Sequence, residues 1–246
     1  MQKFDFTNPA MVKLCLLCEG VRIHGEVLKE VGNDFAEDRF RYHRVTEIPR
    51  GARFIPSEIV LPEDIVCSVF LENKSPWLIK KDKNSRLGLF YKDTHPVCSA
   101  AFTQRPKFYD TKLSNGKSCN QVAVMYGNYV FAIFIMGWCY FFHKGFGCKF
   151  CSLKANWEGK GLGQQNLKFV TPEIAQEAAK TAVDSDGDRI KYVLYSSGSF
   201  PDNDDGFRIQ TDVVRAVKKE TSNLEHHFAI MPPNDLSLIK EIKKPD

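Results

Sequence analysis

Apolar positions in the second half of the chain follow two alternating rhythms. Val130 to Met136 reads VFAIFIM, a continuous apolar run of strand length. That is the pattern of a strand buried on both faces. Thr171-Pro172-Glu173 then opens a helix. Thr171 suits the cap, Pro172 the first helical position and Glu173 the positive end of the helix dipole. Ile174, Ala175, Ala178, Ala182 and Val183 recur on one face at helical spacing. Ile190 to Tyr195 predicts a second strand, which runs into Ser196-Ser197-Gly198-Ser199. Ile209, Val213, Val214 and Val217 mark a second amphipathic helix. Phe228 to Met231 predicts a third strand, closed by Pro232-Pro233. Leu236, Ile239 and Ile242 begin a third helix, expected from Asp235 to about Lys244.

Strand and helix thus alternate three times, which predicts a parallel sheet with right-handed crossovers. In such a sheet the functional loops lie at the carboxyl ends of the strands. The loop after the first strand carries Cys139, Cys148 and Cys151. The loop after the second carries the Ser-Ser-Gly-Ser turn. Both are expected on one edge of the sheet, in neighbouring units.

The first half is strand-rich and mixed. Met11 to Val21 predicts a short helix, with Cys15 and Cys18 on its inner face. Ile65 to Phe70, Leu87 to Tyr91 and Cys98 to Phe102 read as strands, being rich in β-branched and aromatic residues. Asn115-Gly116 predicts the turn of a hairpin, with a further strand over Gln121 to Tyr126.

Composition narrows the class. A hydrophobic fraction of 43% over 246 residues excludes a disordered chain. No apolar run reaches the roughly 18 residues of a membrane span, so no membrane partner is expected. The net charge of +4 comes without a basic stripe, which argues against nucleic acid as a partner. Lys80, Lys81 and Lys83, and Lys218 and Lys219, read as solvated faces. Eight cysteines without a visible secretory signal predict a reducing, cytoplasmic setting.

The cysteines change the picture most. Cys139, Cys148 and Cys151 are spaced C-x8-C-x2-C in a loop rich in glycine and aromatics. Thiolates take soft metals, zinc or iron–sulfur clusters. A structural zinc site wants four ligands, and the fourth here would be His143 or a distant cysteine. Three thiolates on a four-iron cluster leave one iron open for a further ligand. A non-catalytic zinc or iron–sulfur module remains an alternative, as do three unrelated buried cysteines.

The segment from Cys139 to Cys151, ending in Cys148-Lys149-Phe150-Cys151, resembles the cluster loop of radical S-adenosylmethionine (SAM) enzymes. That family's usual spacing is C-x3-C-x2-C, with an aromatic residue before the last cysteine, which Phe150 matches. The first gap is longer here. Ser196-Ser197-Gly198-Ser199 looks like the family's Gly-Gly-Glu turn, although only Gly198 is retained in kind and no Glu follows. Gln104 to Met125, with Phe108-Tyr109-Asp110, followed by Tyr126-Gly127-Asn128, is similar to an uncharacterised subgroup with a long first gap and an extra N-terminal region.

The resemblance implies a [4Fe-4S] cluster held by Cys139, Cys148 and Cys151, with SAM at the open iron. Phe150 would pack near the adenine. Ser196, Ser197, Gly198 and Ser199 would approach the methionine, through backbone carbonyls or a hydroxyl. The reduced cluster would cleave SAM to methionine and a 5′-deoxyadenosyl radical, which takes a hydrogen atom from an unknown substrate. An external one-electron donor of flavodoxin or ferredoxin type is the implied partner.

The expected fold is α/β. It is a partial (βα) barrel of the radical SAM type over 126–246, preceded by a strand-rich α+β region over 1–125. The family core usually has six strand–helix units, and about three fit here, so the chain is expected to be truncated at its C-terminus. Asp202-Asn203-Asp204-Asp205-Gly206 resembles a calcium loop, but Val213 stands where that loop needs Glu; it is expected to cap the next helix. Asp184, Asp186 and Asp188 read as a solvated turn. Gly159, Gly161 and Gly163 do not open a helix after a strand and so fail the dinucleotide pattern. His226 and His227 are expected to face opposite sides of the third strand.

Overall fold

The computed structural model describes residues 6–31, 33–37, 55–149, 151, 153 and 169–242. Two compact units divide at Arg105 and Pro106. The boundary expected at 125/126 falls inside the second unit, within a strand. Each unit is mixed α/β, and among the described residues none of the three sheets closes into a barrel. Among the described residues no helix is long and apolar enough to cross a membrane.

In the first unit, α1 (Pro9–Glu19) starts at Asn8, whose side chain accepts from the Ala10 and Met11 amides. Its buried stripe is Val12, Cys15 and Leu16. Cys18 falls outside that stripe and is exposed, so only one of the paired cysteines is interior. After β1 (Arg22–Ile23) and α2 (Gly25–Leu28) come β2 (Glu58–Leu61), β3 (Ile65–Ser68) and β4 (Trp77–Lys81). Then follow β5 (Leu87–Tyr91), β6 (His95–Ser99) and β7 (Ala101–Phe102).

One sheet has the order β1-β4-β5-β6, the other β3-β2-β7. The strand expected from Cys98 to Phe102 is therefore two strands, which join different sheets on either side of Ala100. The Ala100 amide bonds to Leu87 O at 3.2 Å, where the chain leaves the first sheet. Val12, Leu16, Val27, Ile59, Trp77, Ile79 and Leu89 build the core of this unit.

The second unit is built on β8 (Ala123–Tyr126), β9 (Val130–Met136), β10 (Tyr192–Ser197) and β11 (Glu225–Ala229), in the order β11-β10-β9-β8. β9, β10 and β11 are parallel; β8 is antiparallel to β9. The expected hairpin about Asn115-Gly116 is reduced to a single bridge, Lys112 to Ser118. β8 turns instead through Gly127, at φ 56°, onto β9. Ala123, Val124 and Met125 are all buried there. Both faces of the strand are therefore covered, and pairing with β9 satisfies its backbone along one edge. Ser118 to Gln121 is taken up in a 3-10 turn closed by a reciprocal capping box.

Among the described residues, four α-helices complete this unit: α3 (Tyr140–His143), α4 (Pro172–Asp186), α5 (Asn203–Lys218) and α6 (Ser237–Ile242). α4 follows the sequence closely. Thr171 Oγ1 accepts from the Ile174 amide at 3.4 Å, and Ala175, Ala178, Ala179 and Ala182 are buried where α4 packs against α5. Their small side chains allow the close approach.

The α4 terminus departs from expectation, because Asp186 is buried. Its carboxylate accepts from the Phe108 amide at 3.1 Å and from Ser185 Oγ, and pairs with Arg189 at 3.4 Å. Those partners offset the loss of water around a buried charge.

α5 begins at Asp202, which accepts from the Asp204 and Asp205 amides, as expected of a cap. Val213, Val214 and Val217 are buried, but Ile209 is exposed and Gln210 and Thr211 lie inside. Gln210 Nε2 and Thr211 Oγ1 donate to carbonyls one turn back, which offsets part of the cost of their burial, while Gln210 Oε1 is buried without a partner.

β11 starts three residues before the expected Phe228, in register with Tyr192 to Ser196 of β10. It is an edge strand, exposed at four of its five residues, so its two histidines can be accommodated. Leu238 of α6 is buried, whereas Leu236, just before the helix, and Ile239 are exposed. Asp235 accepts from the Ser237 amide at 2.9 Å, and the helix so started carries Leu238 into a cleft beside Phe207 and Thr211 of α5.

Candidate functional site

The carboxyl ends of β9 and β10 are neighbours, and the Ser196-Ser197-Gly198-Ser199 turn meets Cys139 there. The register of the pair slips by one residue between Ser196, opposite Phe134, and Ser197, opposite Met136. Ile135 is the extra residue on β9, and its carbonyl accepts from the Val170 amide at 2.9 Å, just before α4. Bulges of this kind re-aim a strand end and gather near functional loops.

Beyond the bulge, the chain from β10 is fastened to the chain from β9. The Gly198 amide donates to Met136 O at 3.0 Å, and the Tyr140 amide donates to Ser199 O at 2.8 Å. Between these two bonds, the Ser199 amide donates to Cys139 Sγ at 3.4 Å. Gly198 sits so close that a β-carbon on it would lie 1.8 Å from Trp138 O and 3.0 Å from Cys139 Cα. Only glycine permits that approach.

Cys139 is buried at the start of α3, and Ser199 is buried against it. Ser196 and Ser197 are half-buried, and Ser197 Oγ donates to Gly198 O at 2.8 Å. Gly198 thus has both its amide and its carbonyl engaged within the chain.

The rest of the cysteine loop folds back on itself. Gly145 takes φ 79°, and the Phe146 amide bonds to Phe141 O at 2.8 Å. The Phe142 ring covers Gly147, where a β-carbon would stand 2.0 Å from the ring. Cys148 is exposed and Cys151 half-buried. The Cys151 amide bonds to Cys148 O at 3.1 Å, so these two cysteines share one turn. His143, at the end of α3, has its ring 6.1 Å from that of Trp138. Phe150 and the glycines at 159, 161 and 163 lie outside the described residues.

By donor chemistry the loop suits a soft metal or an iron–sulfur cluster, since it offers three thiols and an amide already donating to one sulfur. Among the described residues, no three His, Cys, Asp or Glu side chains converge as a metal-binding set. Cys139 is held at the sheet edge, and the turn bearing Cys148 and Cys151 does not join it there.

Two features of this unit carry no signal in the chain's periodicity. Tyr195 Oη lies 2.9 Å from His226 Nδ1, and His226 Nε2 lies 3.0 Å from Thr221 O. Burial pushes the Tyr195 phenol well above its ordinary range and lowers the His226 pKa. His227 is on the opposite side, its ring edge-on to Tyr192, so the two histidines do face opposite ways. The second feature is Asp204, whose carboxylate accepts from the Asn234 and Asp235 amides at 2.6 and 3.0 Å. It ties the loop after β11 to the start of α5. Only the parallel pairing of β10 with β11 brings these partners together.

No family model, curated protein or solved structure matches this chain.

Proposed function

We propose that the second unit is the core of a radical SAM enzyme, a partial (βα) barrel that binds a [4Fe-4S] cluster on Cys139, Cys148 and Cys151. The observation that carries this reading is the fastening of the Gly198-Ser199 turn to Cys139 across the ends of two parallel strands. It joins the two motifs that resemble the family, although 60 positions separate them. Cys139 is the anchored ligand. Cys148 and Cys151, on their shared turn, would supply the other two thiolates.

Cluster and SAM together would supply reductive cleavage of SAM, with electrons from an external flavodoxin- or ferredoxin-like donor. The chain's own residues bind and shield. The aromatic residues Trp138, Tyr140, Phe141 and Phe142 surround the first ligand in sequence and exclude water from it. The Ser196 and Ser197 hydroxyls, half-buried at the end of β10, are the polar groups offered to the SAM methionine.

The test is anaerobic reconstitution with iron and sulfide, followed by electron paramagnetic resonance of the reduced protein with and without SAM. A cluster signal that changes on adding SAM and disappears in Cys148→Ala is the expected result. A folded chain that takes up no iron, or that holds stoichiometric zinc on the same cysteines, overturns the reading.

A further inference from the structure

Among the hydrogen bonds at the sheet edge, the one from the Ser199 amide to Cys139 Sγ is unusual in using a backbone donor on a cysteine sulfur. It is buried at both ends. It is also flanked: the Gly198 amide is held by Met136 O, and the Ser199 carbonyl by the Tyr140 amide. The absence of a side chain at Gly198 brings the turn within reach, since a β-carbon there would collide with Trp138 O. Three features of one turn, two flanking hydrogen bonds and the bare Gly198, thus aim a single N–H at a single sulfur.

We propose that Ser199 is a positioning residue for Cys139. Its amide fixes the sulfur at the sheet edge before any cluster is present, and offsets part of the negative charge on that sulfur once a cluster is bound. This inference rests on the proposed function for its second half only. Hydrogen bonds to sulfur favour the more negative, reduced state of an iron–sulfur cluster and so raise its reduction potential. Gly198 and Ser199 then have a role toward the cluster ligand, distinct from the contact with SAM that the sequence motif suggests.

The first measurement uses the metal-free full chain. Amide hydrogen exchange at Ser199 is compared between the parent and Cys139→Ala. Loss of the acceptor sulfur should speed exchange at Ser199 about fivefold, the scale of one net hydrogen bond. Exchange at Gly198, whose acceptor is Met136 O, should stay as in the parent. An unchanged Ser199 rate, or a Ser199 amide already as fast as solvent-exposed amides in the parent, overturns the proposal.

The second measurement uses the reconstituted chain. Ser199→Pro deletes the amide proton, and the preceding glycine is the residue least restricted by a following proline. Ser199→Ala keeps the amide and is the comparison. The cluster potential, followed by electron paramagnetic resonance, should be lower in Ser199→Pro than in Ser199→Ala; equal potentials overturn the tuning role. Should Ser199→Pro fail to fold, the exchange measurement still decides. A chain that shows the exchange effect but binds no iron supports the contact and sinks the proposed function.

Discussion

A β-carbon on Gly198 would stand 1.8 Å from the carbonyl oxygen of Trp138. The obstacle is backbone from the neighbouring strand end and cannot rotate away. Gly198→Ala should therefore destabilise the second unit by about 1–3 kcal/mol, the range for overpacking. Chemical denaturation measures the loss. Iron uptake on reconstitution should fall with it, because the turn that holds Cys139 is displaced. A variant as stable as the parent would mean that the turn and the cysteine loop are not in contact.

His226 should make stability depend on pH. Burial lowers its pKa below the ordinary 6.5, against the opposing effect of the hydrogen bond at Thr221, and the positive charges of Lys218 and His227 act in the same direction as burial. The unfolded chain therefore takes up the proton first as pH falls. The contribution of His226 to stability is complete above pH 6.5, declines as pH drops through that value, and levels off once the folded form is protonated too. Urea midpoints between pH 5 and 8 should show this decline in the parent, and His226→Leu should flatten it (about pH 5–8 brackets the histidine range).

Capping of α5 gives a third expectation. Asp202 accepts from two amides of the first turn, at 2.8 and 2.9 Å. Asp202→Ala should cost about 1 kcal/mol in urea unfolding, and Asp202→Asn should retain most of the stability. Equal losses for the two variants would assign the effect to charge alone.

The cysteines should differ sharply in reactivity. Burial, helped by the nearby Glu177 carboxylate, pushes the Cys119 thiol up to about 12. At pH 8 roughly one such thiol in ten thousand is ionised, and the thiolate is the nucleophile. Iodoacetamide labelling of the native, metal-free chain, mapped by mass spectrometry, should leave Cys119 unmodified while the exposed Cys148 reacts. Rapid labelling of Cys119 without unfolding would contradict its burial.

The elements that the sequence made legible are those whose determinants are local. The Thr171 cap with Pro172 behind it starts α4 where both residues say it must, because each acts on its own first turn. The apolar run from Val130 to Met136 is β9 to the residue, since a strand covered on both faces needs no polar alternation. Where a polar side chain donates to a carbonyl of its own helix, as Gln210 and Thr211 do, apolar periodicity misjudges the buried face, and Ile209 ends up exposed. Where a carboxylate's hydrogen bond closes only through the fold, as that of Asp186 does with the Phe108 amide 78 positions away, a buried acid reads as a solvated one.

The candidate site divides along the same line. The chain by itself determined that three cysteines follow one strand, that a glycine-centred turn follows the next, and that alternating strands and helices place both on one edge of a parallel sheet. These are consequences of periodicity and chain order, which act within one element and its neighbour. Only the tertiary structure decided that the Ser199 amide meets Cys139 Sγ, that Gly198 is wedged against Trp138, and that Tyr195, His226 and Thr221 form a chain. Those contacts depend on strand register, including the slip at Ile135. Register is set by the packing of whole strands and helices against one another, which no local stretch of sequence encodes.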